Sequence, residues 1–453
     1  MTRKLFGTDG VRSLANRFPM TSEVALALGR AIAYHFRNKG SQHHRVVIGK
    51  DTRRSGYMIE NALSSGVCSA GGEAIFLGPL PTPAIAFITT AMRADAGVVI
   101  SASHNLFSDN GMKFFDHTGF KLPDEVEKHL EELIESEELK NFRPVGAEVG
   151  KAYRVEDAPG RYIEFLKSTF PKDLSLEGLK IVVDCANGAA YRVAPVIFEE
   201  LGATIVALGV SPNGLNINEG VGALHPQTMC EKVKEVGAHL GIALDGDGDR
   251  VVLCDENGLA LNGDEILAMT AQEMKKKNQL KKNTVIATVM SNFGLERFLK
   301  SEGIEMKRVQ VGDRYVVEAM RQGGYNLGGE QSGHLVFLDH STTGDGILAA
   351  LQVLSILQSK KEPLSRLRQI MTSVPQILEG VKVTKKENFN TLPLLQKRIG
   401  EAEKQLGTQG RVLLRYSGTE SLLRIMVEGE NELLLRSIVA DLKAEVERSL
   451  GAG

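Results

Sequence analysis

The feature that most constrains this chain is a local pattern that occurs three times. An apolar run, a polar turn, a helical segment and a second apolar run follow one another at residues 45–78, 180–209 and 283–312. Each copy has the length of a βαβ unit, in which a crossover helix joins two strands. The apolar runs are rich in β-branched residues and do not alternate, which predicts strands covered on both faces in parallel or mixed sheets. Because a solenoid repeat would be far shorter, the copies indicate three similar α/β domains.

The pattern changes towards the C-terminus. The segments "EGVKVT", "RVLLRYSG" and "LLRIMVEG" alternate between apolar and polar residues, as antiparallel strands with one exposed face do. A long helical segment follows, so the predicted fold class is α/β, with three similar α/β domains and a smaller C-terminal α+β domain. The predicted domains are residues 1–152, 153–255, 256–372 and 373–453.

Two connections between these domains are also predicted. A charged helix at 123–142 is expected to close the first domain, with "VGAEVGKAYRVEDA" as its link to the second. The turn signal Glu256-Asn257-Gly258 is expected to lead from the second domain into the third.

Composition restricts the class of protein. The chain has 54 basic and 56 acidic residues and no basic block, so we expect no nucleic-acid partner. The start "MTRKLFGTDGVRS" has no apolar signal core, and no run of about 18 apolar residues occurs, so we expect no membrane partner. The four cysteines lie far apart without a CxxC pair, which argues against a zinc knuckle or a disulfide framework. These features predict a soluble, cytoplasmic protein.

The strongest metal signal is "GIALDGDGDRVVLCD" (241–255). Asp245, Asp247 and Asp249 follow an apolar strand with only glycine between them. Glycine lets the backbone curl so that alternate carboxylates converge, and several hard oxygen ligands with open positions suit Mg²⁺. The pattern predicts a magnesium site.

Two other interpretations of this loop are an EF-hand and a solvated acidic turn. Glu256 falls at the twelfth position of an EF-hand loop counted from Asp245, but Arg250 occupies the sixth position, where the sharp turn needs glycine. A solvated acidic turn is the second alternative, although clustered carboxylates repel one another unless a cation joins them.

A serine-containing turn is the second candidate site. The segment "VVISASHNLFSDNGMKFFD" (98–116) leaves a buried strand to present Ser103 and His104. A serine hydroxyl needs a base or a metal to react, and the hydrolase elbow G-x-S-x-G is absent. Neighbours on an extended chain point in opposite directions, so adjacency alone does not predict a Ser103–His104 dyad. Lys113 and Arg12 are cations of the kind needed around a phosphate on Ser103. A polar loop with serine caps is the alternative.

Two further turns carry binding chemistry. "NLGGEQSGHLVFLD" (326–339) places Glu330 and Ser332 on a turn, where a carboxylate and a hydroxyl can bind vicinal sugar hydroxyls. "LLRYSGTESLLRIMVEG" (413–429) offers the side chains and freed backbone amides that a phosphate monoester needs. The residues on this second turn are Arg415, Ser417, Gly418 and Thr419. An ordinary hairpin is the alternative in both cases. His334 stands alone in the sequence, where a core or surface histidine is the default interpretation.

Together these motifs resemble the α-D-phosphohexomutases. The segments "ISASHN" with "DNGMKFF", "DGDGDR", "GGEQSGH" and "RYSGTE" occur in the order of that superfamily, over essentially the whole chain. The opening "FGTDGVR" and Gln331 are similar to the phosphoglucosamine mutase branch, whereas the phosphomannomutase/phosphoglucomutase branch typically has methionine there. The resemblance implies three related α/β domains and a TBP-like α+β domain around a central cleft.

The resemblance also implies roles for individual residues. Ser103 would carry a phosphoryl group and, with that group, complete a Mg²⁺ site. The other ligands of this ion would be Asp245, Asp247 and Asp249. Arg12, His104 and Lys113 would surround the phosphoryl group, with Lys113 as a candidate general acid/base. The implied substrate-binding residues are Arg250 for the metal loop or the phosphate, Glu330 and Ser332 for sugar hydroxyls, and Arg415, Ser417, Gly418, Thr419 and Arg424 for the phosphate that is not reacting.

The implied activity is that of an isomerase, a phosphoglucosamine mutase. It would interconvert glucosamine 6-phosphate and glucosamine 1-phosphate through a phosphoserine enzyme and a 1,6-bisphosphate, feeding UDP-N-acetylglucosamine and cell-wall synthesis. The implied cofactors are one Mg²⁺ per subunit and glucosamine or glucose 1,6-bisphosphate as activator. A kinase or the bisphosphate would first phosphorylate Ser103, and a homodimer is a possible assembly. The alternatives are a phosphoglucomutase/phosphomannomutase of the same superfamily and a non-catalytic sugar-phosphate sensor.

Four residues depart from the superfamily pattern. Leu106 and Ser421 stand where prolines are usual, which makes each loop less ordered in the unfolded chain but removes no functional group. Asp313 and Arg314 stand where the phosphomannomutase branch has a histidine, so the resemblance does not identify the base in that region.

Overall fold

The computed structural model describes residues 5–7, 9–37, 44–417 and 422–451. Its strands are β1 (Val11–Leu14), β2 (Arg45–Lys50), β3 (Glu73–Pro79), β4 (Ala96–Ile100), β5 (Asp109–Asp116), β6 (Ala152–Arg154), β7 (Lys180–Asp184), β8 (Thr204–Leu208), β9 (Leu240–Leu244), β10 (Val251–Asp255), β11 (Ala260–Leu261), β12 (Thr284–Thr288), β13 (Glu305–Val309), β14 (Leu327–Gly329), β15 (Leu335–Phe337), β16 (Gln376–Lys382), β17 (Gly410–Tyr416) and β18 (Leu422–Gly429).

The helices alternate with these strands through most of the chain. They are α1 (Ser22–Arg37), α2 (Ser55–Ser69), α3 (Thr82–Ala91), α4 (Asp124–Glu135), α5 (Glu137–Asn141), α6 (Ala158–Ser168), α7 (Val193–Glu200), α8 (Gln227–Val236), α9 (Gly263–Lys276), α10 (Phe293–Ser301), α11 (Asp313–Gly323), α12 (Gly346–Lys360), α13 (Leu364–Leu367), α14 (Pro393–Leu406) and α15 (Glu432–Leu450).

The chain divides into two compact units. The first comprises Met1–Thr288 and Lys307–Gln369, and the second comprises Val289–Met306 and Ile370–Gly453. Within the described ranges, no helix combines the length and the apolar character needed to cross a lipid bilayer.

The first sheet has the strand order β1-β5-β4-β2-β3-β6 and is mixed, as predicted. Strands β4, β2, β3 and β6 run parallel, and β5 and β1 are antiparallel to their neighbours. The first predicted copy is the unit β2–α2–β3. Helices α1 and α2 pack closely at Gly29. Any other residue there would place its Cβ 2.2 Å from the carbonyl oxygen of Leu63, so this approach requires glycine.

The second sheet has the strand order β11-β10-β9-β7-β8. The second predicted copy is β7–α7–β8, a parallel pair with its crossover helix. Strands β9 and β10 form an antiparallel hairpin, and its turn carries the three predicted metal ligands. This position puts the aspartates at the end of a strand that is buried throughout.

The third sheet has the order β13-β12-β14-β15, and strands β12 and β13 are those of the third predicted copy. The antiparallel strands β14 and β15 flank the predicted sugar-binding turn. The second unit carries the antiparallel sheet β16-β18-β17, whose core side chains pack with those of α14 and α15. The predicted fold class, with a C-terminal α+β region, is therefore confirmed, while the exact domain boundaries stay a prediction.

One local expectation was wrong, and two expected links carry short strands. The helix expected at 123–142 is two helices, because Ser136 is extended and its side chain accepts the N–H of Leu139 to cap α5. The expected link contains β6, which pairs with β3 in the first sheet. The turn at Glu256-Asn257-Gly258 joins β10 to β11 within the second sheet.

Candidate active site

The serine turn lies between β4 and β5. The side chain of Ser103 is buried, and its hydroxyl donates a hydrogen bond of 2.7 Å to Oδ2 of Asp245. Its Oγ also lies 3.3 Å from Nδ1 of His104. The expectation for an extended chain fails here, because Ser103 has a φ of +50° and turns its side chain towards its neighbour. The serine and the first aspartate of the metal loop are thus in direct contact.

The metal loop approaches the serine turn closely. Ligand oxygens of Asp245, Asp247 and Asp249 lie within 4.8 Å of one another, and all three side chains are buried. A Cβ on Gly246 would lie 2.6 Å from the carbonyl oxygen of Ser103, so glycine is required for this approach. The alternative of a solvated acidic turn is wrong.

Lys113 organises two of the three carboxylates. Its ammonium donates to Oδ2 of Asp247 at 2.9 Å and to Oδ2 of Asp249 at 3.1 Å. Thr82, at the start of α3, donates its hydroxyl to the same Asp247 oxygen at 2.7 Å. Among the described residues, no hydrogen-bond donor reaches the buried Oδ1 atoms of Asp247 and Asp249. Buried oxygens without donors are costly unless a cation binds them, so this donor set fits Mg²⁺.

The pKa values of groups in and around the metal loop are shifted by burial and by neighbouring charges. Burial, together with the carboxylates of Asp249 and Asp247, raises the pKa of Asp245 well above its usual range. Burial alone would lower the pKa of Lys113, but Asp247 and Asp249 raise it well above its usual range. These carboxylates favour the ammonium form of Lys113, and its role as a general acid/base stays a prediction. Burial and the nearby arginines Arg250 and Arg12 lower the pKa of His104 to about 4.

A cavity of about 1130 Å³ opens beside these groups within the first unit. Predicted site residues that line it are Arg12, Ser103, Lys113, Asp249, Arg250 and Glu330. The backbone N–H of Arg250 donates to Oδ1 of Asp245 at 3.1 Å, so this residue belongs to both the metal loop and the cavity wall. Ser103 and part of the metal loop therefore lie on the wall of one cavity.

The predicted sugar-binding turn also reaches this cavity. Glu330 is buried, and its Oε1 accepts the N–H of Gly312 at 3.1 Å. The hydroxyl of Ser332 lies 3.4 Å from Oε2 of Glu330. The turn is a hairpin, as the alternative interpretation also held, and it places a carboxylate on the wall.

Several functional candidates were missed from the sequence. Lys121 pairs with both Asp9 and Asp313, three charged groups that line the cavity. His334, which the sequence analysis interprets as a core or surface histidine, is buried on the wall of this cavity. Its Nε2 accepts the N–H of Gly344 at 3.1 Å. The position of Asp9 and Asp313 at a turn and at a helix start was the available signal, but their pairing through Lys121 is not visible in sequence.

The predicted phosphate-binding hairpin lies in the second unit. Arg415 of β17 is directly opposite Arg424 of β18, so two like charges face each other. Burial and Arg424 lower the pKa of Arg415, and among the described residues its buried Nε has no hydrogen-bond partner. Lys386, which sequence reasoning missed, donates to the carbonyl oxygen of Ser417 at 2.8 Å. Gly418 and Thr419 lie outside the described residues.

Four sequence families match the chain in order. Their descriptions are phosphoglucomutase/phosphomannomutase α/β/α domain I (residues 3–141), domain II (160–258), domain III (262–374) and C-terminal domain (378–445).

Solved structures share the fold. A phosphoglucomutase/phosphomannomutase family protein from Burkholderia thailandensis superposes with a TM-score of 0.82 at 24% identity, covering 99% of this chain and 98% of that one. An N-acetylphosphoglucosamine mutase from Aspergillus fumigatus, solved in complex with GlcNAc-6P and magnesium, has a TM-score of 0.68 at 16% identity, covering 98% and 96%.

Similar proteins of much higher identity place the chain more narrowly. Phosphoglucosamine mutase from Geotalea uraniireducens is 58% identical over 449 residues, which is 99% of each chain. Phosphoglucosamine mutase from Syntrophotalea carbinolica is 56% identical over 451 residues, covering 100% of this chain and 99% of the relative. With its four-domain match and full-length similarity, the chain belongs to the phosphoglucosamine mutase family of the α-D-phosphohexomutases.

Proposed function

We propose that this protein is an isomerase that interconverts glucosamine 6-phosphate and glucosamine 1-phosphate, using a phosphoserine at Ser103. The observation that carries the proposal is the 2.7 Å hydrogen bond from the Ser103 hydroxyl to Asp245, the first member of a buried carboxylate triad. A reactive hydroxyl and a metal-binding carboxylate cluster are the two parts that phosphoryl transfer needs in one place.

The reaction has two phosphoryl transfers. The C1 hydroxyl of glucosamine 6-phosphate attacks phosphoserine 103, the bond from phosphorus to Oγ breaks, and glucosamine 1,6-bisphosphate forms. The proton lost by the sugar hydroxyl is balanced by the proton gained at Ser103 Oγ. After the bisphosphate turns round, Oγ takes the phosphoryl group from C6, the C6 oxygen regains a proton, and glucosamine 1-phosphate leaves.

The side chains around Ser103 have distinct parts in these transfers. Asp245, Asp247 and Asp249 would hold Mg²⁺, which when bound offsets negative charge on the transferring phosphoryl group. Lys113 orients two of these carboxylates, because its ammonium donates to one oxygen of each, while the other oxygen accepts no hydrogen bond from the described residues. Arg12 adds positive charge on the cavity wall, where the phosphoryl group would lie.

Substrate binding uses chemistry that tolerates both orientations of the bisphosphate. Glu330 and Ser332 would accept and donate hydrogen bonds to sugar hydroxyls. The facing guanidinium groups of Arg415 and Arg424 suit a dianion, because an anion relieves their mutual repulsion. Together with Ser417, and with Gly418 and Thr419, they would bind a phosphate on either C1 or C6.

Several finer expectations remain predictions within this proposal. They are one Mg²⁺ per subunit, activation by glucosamine or glucose 1,6-bisphosphate, and initial phosphorylation of Ser103 by a kinase or by the bisphosphate. Homodimer assembly and a cytoplasmic location also remain predictions.

A substrate panel tests the proposal. The protein is assayed with Mg²⁺ and glucose 1,6-bisphosphate on glucosamine, glucose and mannose 6-phosphates. We expect the highest kcat/KM on glucosamine 6-phosphate, and a preference for glucose or mannose 6-phosphate would support the other branch. Ser103→Ala should abolish turnover with an unchanged circular dichroism spectrum, whereas Ser108→Ala, an exposed serine of the same turn, should retain it. Turnover by Ser103→Ala, or a wild-type protein that binds these sugars without turnover, would refute the proposal.

A further inference from the structure

The backbone of the serine turn is held by side chains from two loops, one after β2 and one after β8. The carbonyl oxygens of Ser103 and Asn105 each accept two side-chain hydrogen bonds. Nη2 of Arg53 donates to them at 3.2 and 2.5 Å, and Nδ2 of Asn218 donates to them at 2.9 and 2.9 Å. Two donors therefore bind the same pair of carbonyls, one on either side of His104.

This arrangement compensates for backbone strain at Ser103. Its φ of +50° lies in the left-handed region, which is unfavourable for a residue other than glycine and persists only where the surroundings fix it. The same conformation directs Oγ to Asp245. Four hydrogen bonds to the two carbonyls on either side of His104 provide that restraint, and the two from Arg53 are strengthened by the charge of the donor.

The side chain of Arg53 is itself held by Asp51. It is fully buried just after β2, and its Nη1 pairs with the buried carboxylate of Asp51. The hydroxyl of Ser101 donates to Asp51 at 2.5 Å and accepts the N–H of Ser103 at 2.9 Å. A continuous set of buried hydrogen bonds thus runs from the end of β2 to the serine.

Asn218 comes from the other side, in the loop between β8 and α8. Its backbone is also left-handed, with a φ of +58°, and its N–H donates to the carbonyl oxygen of Ala186 at 2.9 Å. A Cβ on Gly246 would lie 2.6 Å from both Nδ2 of Asn218 and the carbonyl oxygen of Ser103. Asn218 therefore contacts the serine turn at the point where the metal loop meets it.

We infer that Arg53 and Asn218 are positioning residues for phosphoryl transfer, which hold Ser103 Oγ against the metal-binding carboxylates. This inference rests on the proposed function. Neither side chain lines the substrate cavity, so losing the restraint should slow transfer to and from Oγ without weakening sugar binding. Because a displacement of about 1 Å costs phosphoryl transfer up to 10²-fold, we expect kcat to fall about 10- to 100-fold with KM changed less than about threefold.

Two Asn218 variants test this inference. Asn218→Asp keeps the shape but directs a carboxylate without a donor at two carbonyl oxygens, and Asn218→Gly removes the side chain where the left-handed backbone suits glycine. Asn278→Gly is the matched control, because Asn278 is a left-handed, exposed asparagine at the end of α9. We expect kcat to decrease in the order wild type, Asn218→Gly, Asn218→Asp, with the control equal to wild type.

A second readout separates positioning from general stability. The rate at which glucose 1,6-bisphosphate phosphorylates Ser103 is followed by intact mass, and the melting temperature is recorded for every variant. Arg53→Lys keeps a cation beside Asp51, but lysine cannot replace the several fixed N–H donors of the guanidinium group. Ser103 in this variant should therefore be phosphorylated more slowly, at a nearly unchanged melting temperature.

Specific results would overturn the inference. Asn218→Asp and Asn218→Gly with kcat within twofold of wild type would do so, as would a rise in KM that accounts for the whole loss of kcat/KM. Slow phosphorylation that tracks only a lowered melting temperature would assign both residues a purely structural role. Failure of the proposed function has a different outcome, because the wild-type protein would then show neither turnover nor phosphorylation.

Discussion

The carboxyl of Asp345 should make stability depend on pH. It is fully buried at the start of α12, where Oδ1 accepts the N–H groups of Ile347 and Leu348, both at 3.0 Å, and Oδ2 accepts the hydroxyl of Tyr162 at 2.7 Å. Burial raises the pKa of Asp345 from 3.8 to about 6 in spite of these hydrogen bonds. Folding therefore favours the protonated acid.

The size of the effect follows from this pKa. A rise from 3.8 to about 6 corresponds to about 3 kcal/mol, at about 1.36 kcal/mol for each pH unit. The folded protein binds the proton more tightly than the unfolded chain does, so this stability is fully present below pH 3.8 and is lost as the pH rises through about 6. About 2 kcal/mol of the loss falls between about pH 4.5 and 7.

Asp345→Asn removes the ionisation but keeps the hydrogen bonds, because the amide oxygen can cap α12 and the amide can donate to Tyr162. Urea unfolding in EDTA, followed by circular dichroism for the transition that includes α12, measures the free energy of unfolding. Relative to wild type, the variant should gain about 2 kcal/mol between about pH 4.5 and 7. Tyr162→Phe, which keeps the carboxyl, should retain the pH-dependent loss. A stability difference between Asp345→Asn and wild type that does not change with pH would refute the reasoning.

Four further outcomes follow from individual contacts. Thr82→Val removes a donor to Asp247 and should raise the Mg²⁺ concentration for half-maximal turnover about 10-fold, measured by Mg²⁺ titration. An unchanged titration curve would contradict this expectation. Glu330→Gln should raise KM for glucosamine 6-phosphate about 10-fold, and an unchanged KM would remove its role in binding. Lys121→Met leaves the paired carboxylates of Asp9 and Asp313 facing each other and should lower the melting temperature; equal melting curves would show that the pairing is energetically neutral. Asn262→Ala breaks the capping box of α9 and should cost about 1 kcal/mol of unfolding free energy, whereas Asn262→Ser should cost less.

The local pattern of the sequence was enough for the architecture. The apolar runs of β2, β7 and β12 are buried by neighbours on both faces, so their composition alone identifies them as sheet strands. The three Gly-separated aspartates could be interpreted as metal ligands, because clustered carboxylates repel one another unless a cation binds them. The break at Ser136 was not predicted, because the residues on both sides favour helix. It depends on a single serine whose side chain caps α5.

The parts of the site that were missed depend on contacts between distant residues. Arg53 lies in the charged segment "GKDTRRSG", where a solvated turn is the ordinary expectation, yet its partners are 50 and 52 residues away along the chain. Asn218 contacts the serine turn across 115 residues. Such buried contacts between loops distant in sequence depend on the tertiary structure, which periodicity does not encode.

The most direct test of the central claim is the fate of a labelled phosphoryl group. The protein is incubated with Mg²⁺ and ³²P-labelled glucose 1,6-bisphosphate, the modified residue is mapped by peptide mass spectrometry, and unlabelled glucosamine 6-phosphate is then added. We predict that the label lies on Ser103, requires Mg²⁺, and leaves with the sugar at a rate no slower than turnover. Label on another residue, or label on Ser103 that glucosamine 6-phosphate does not remove, would contradict the account.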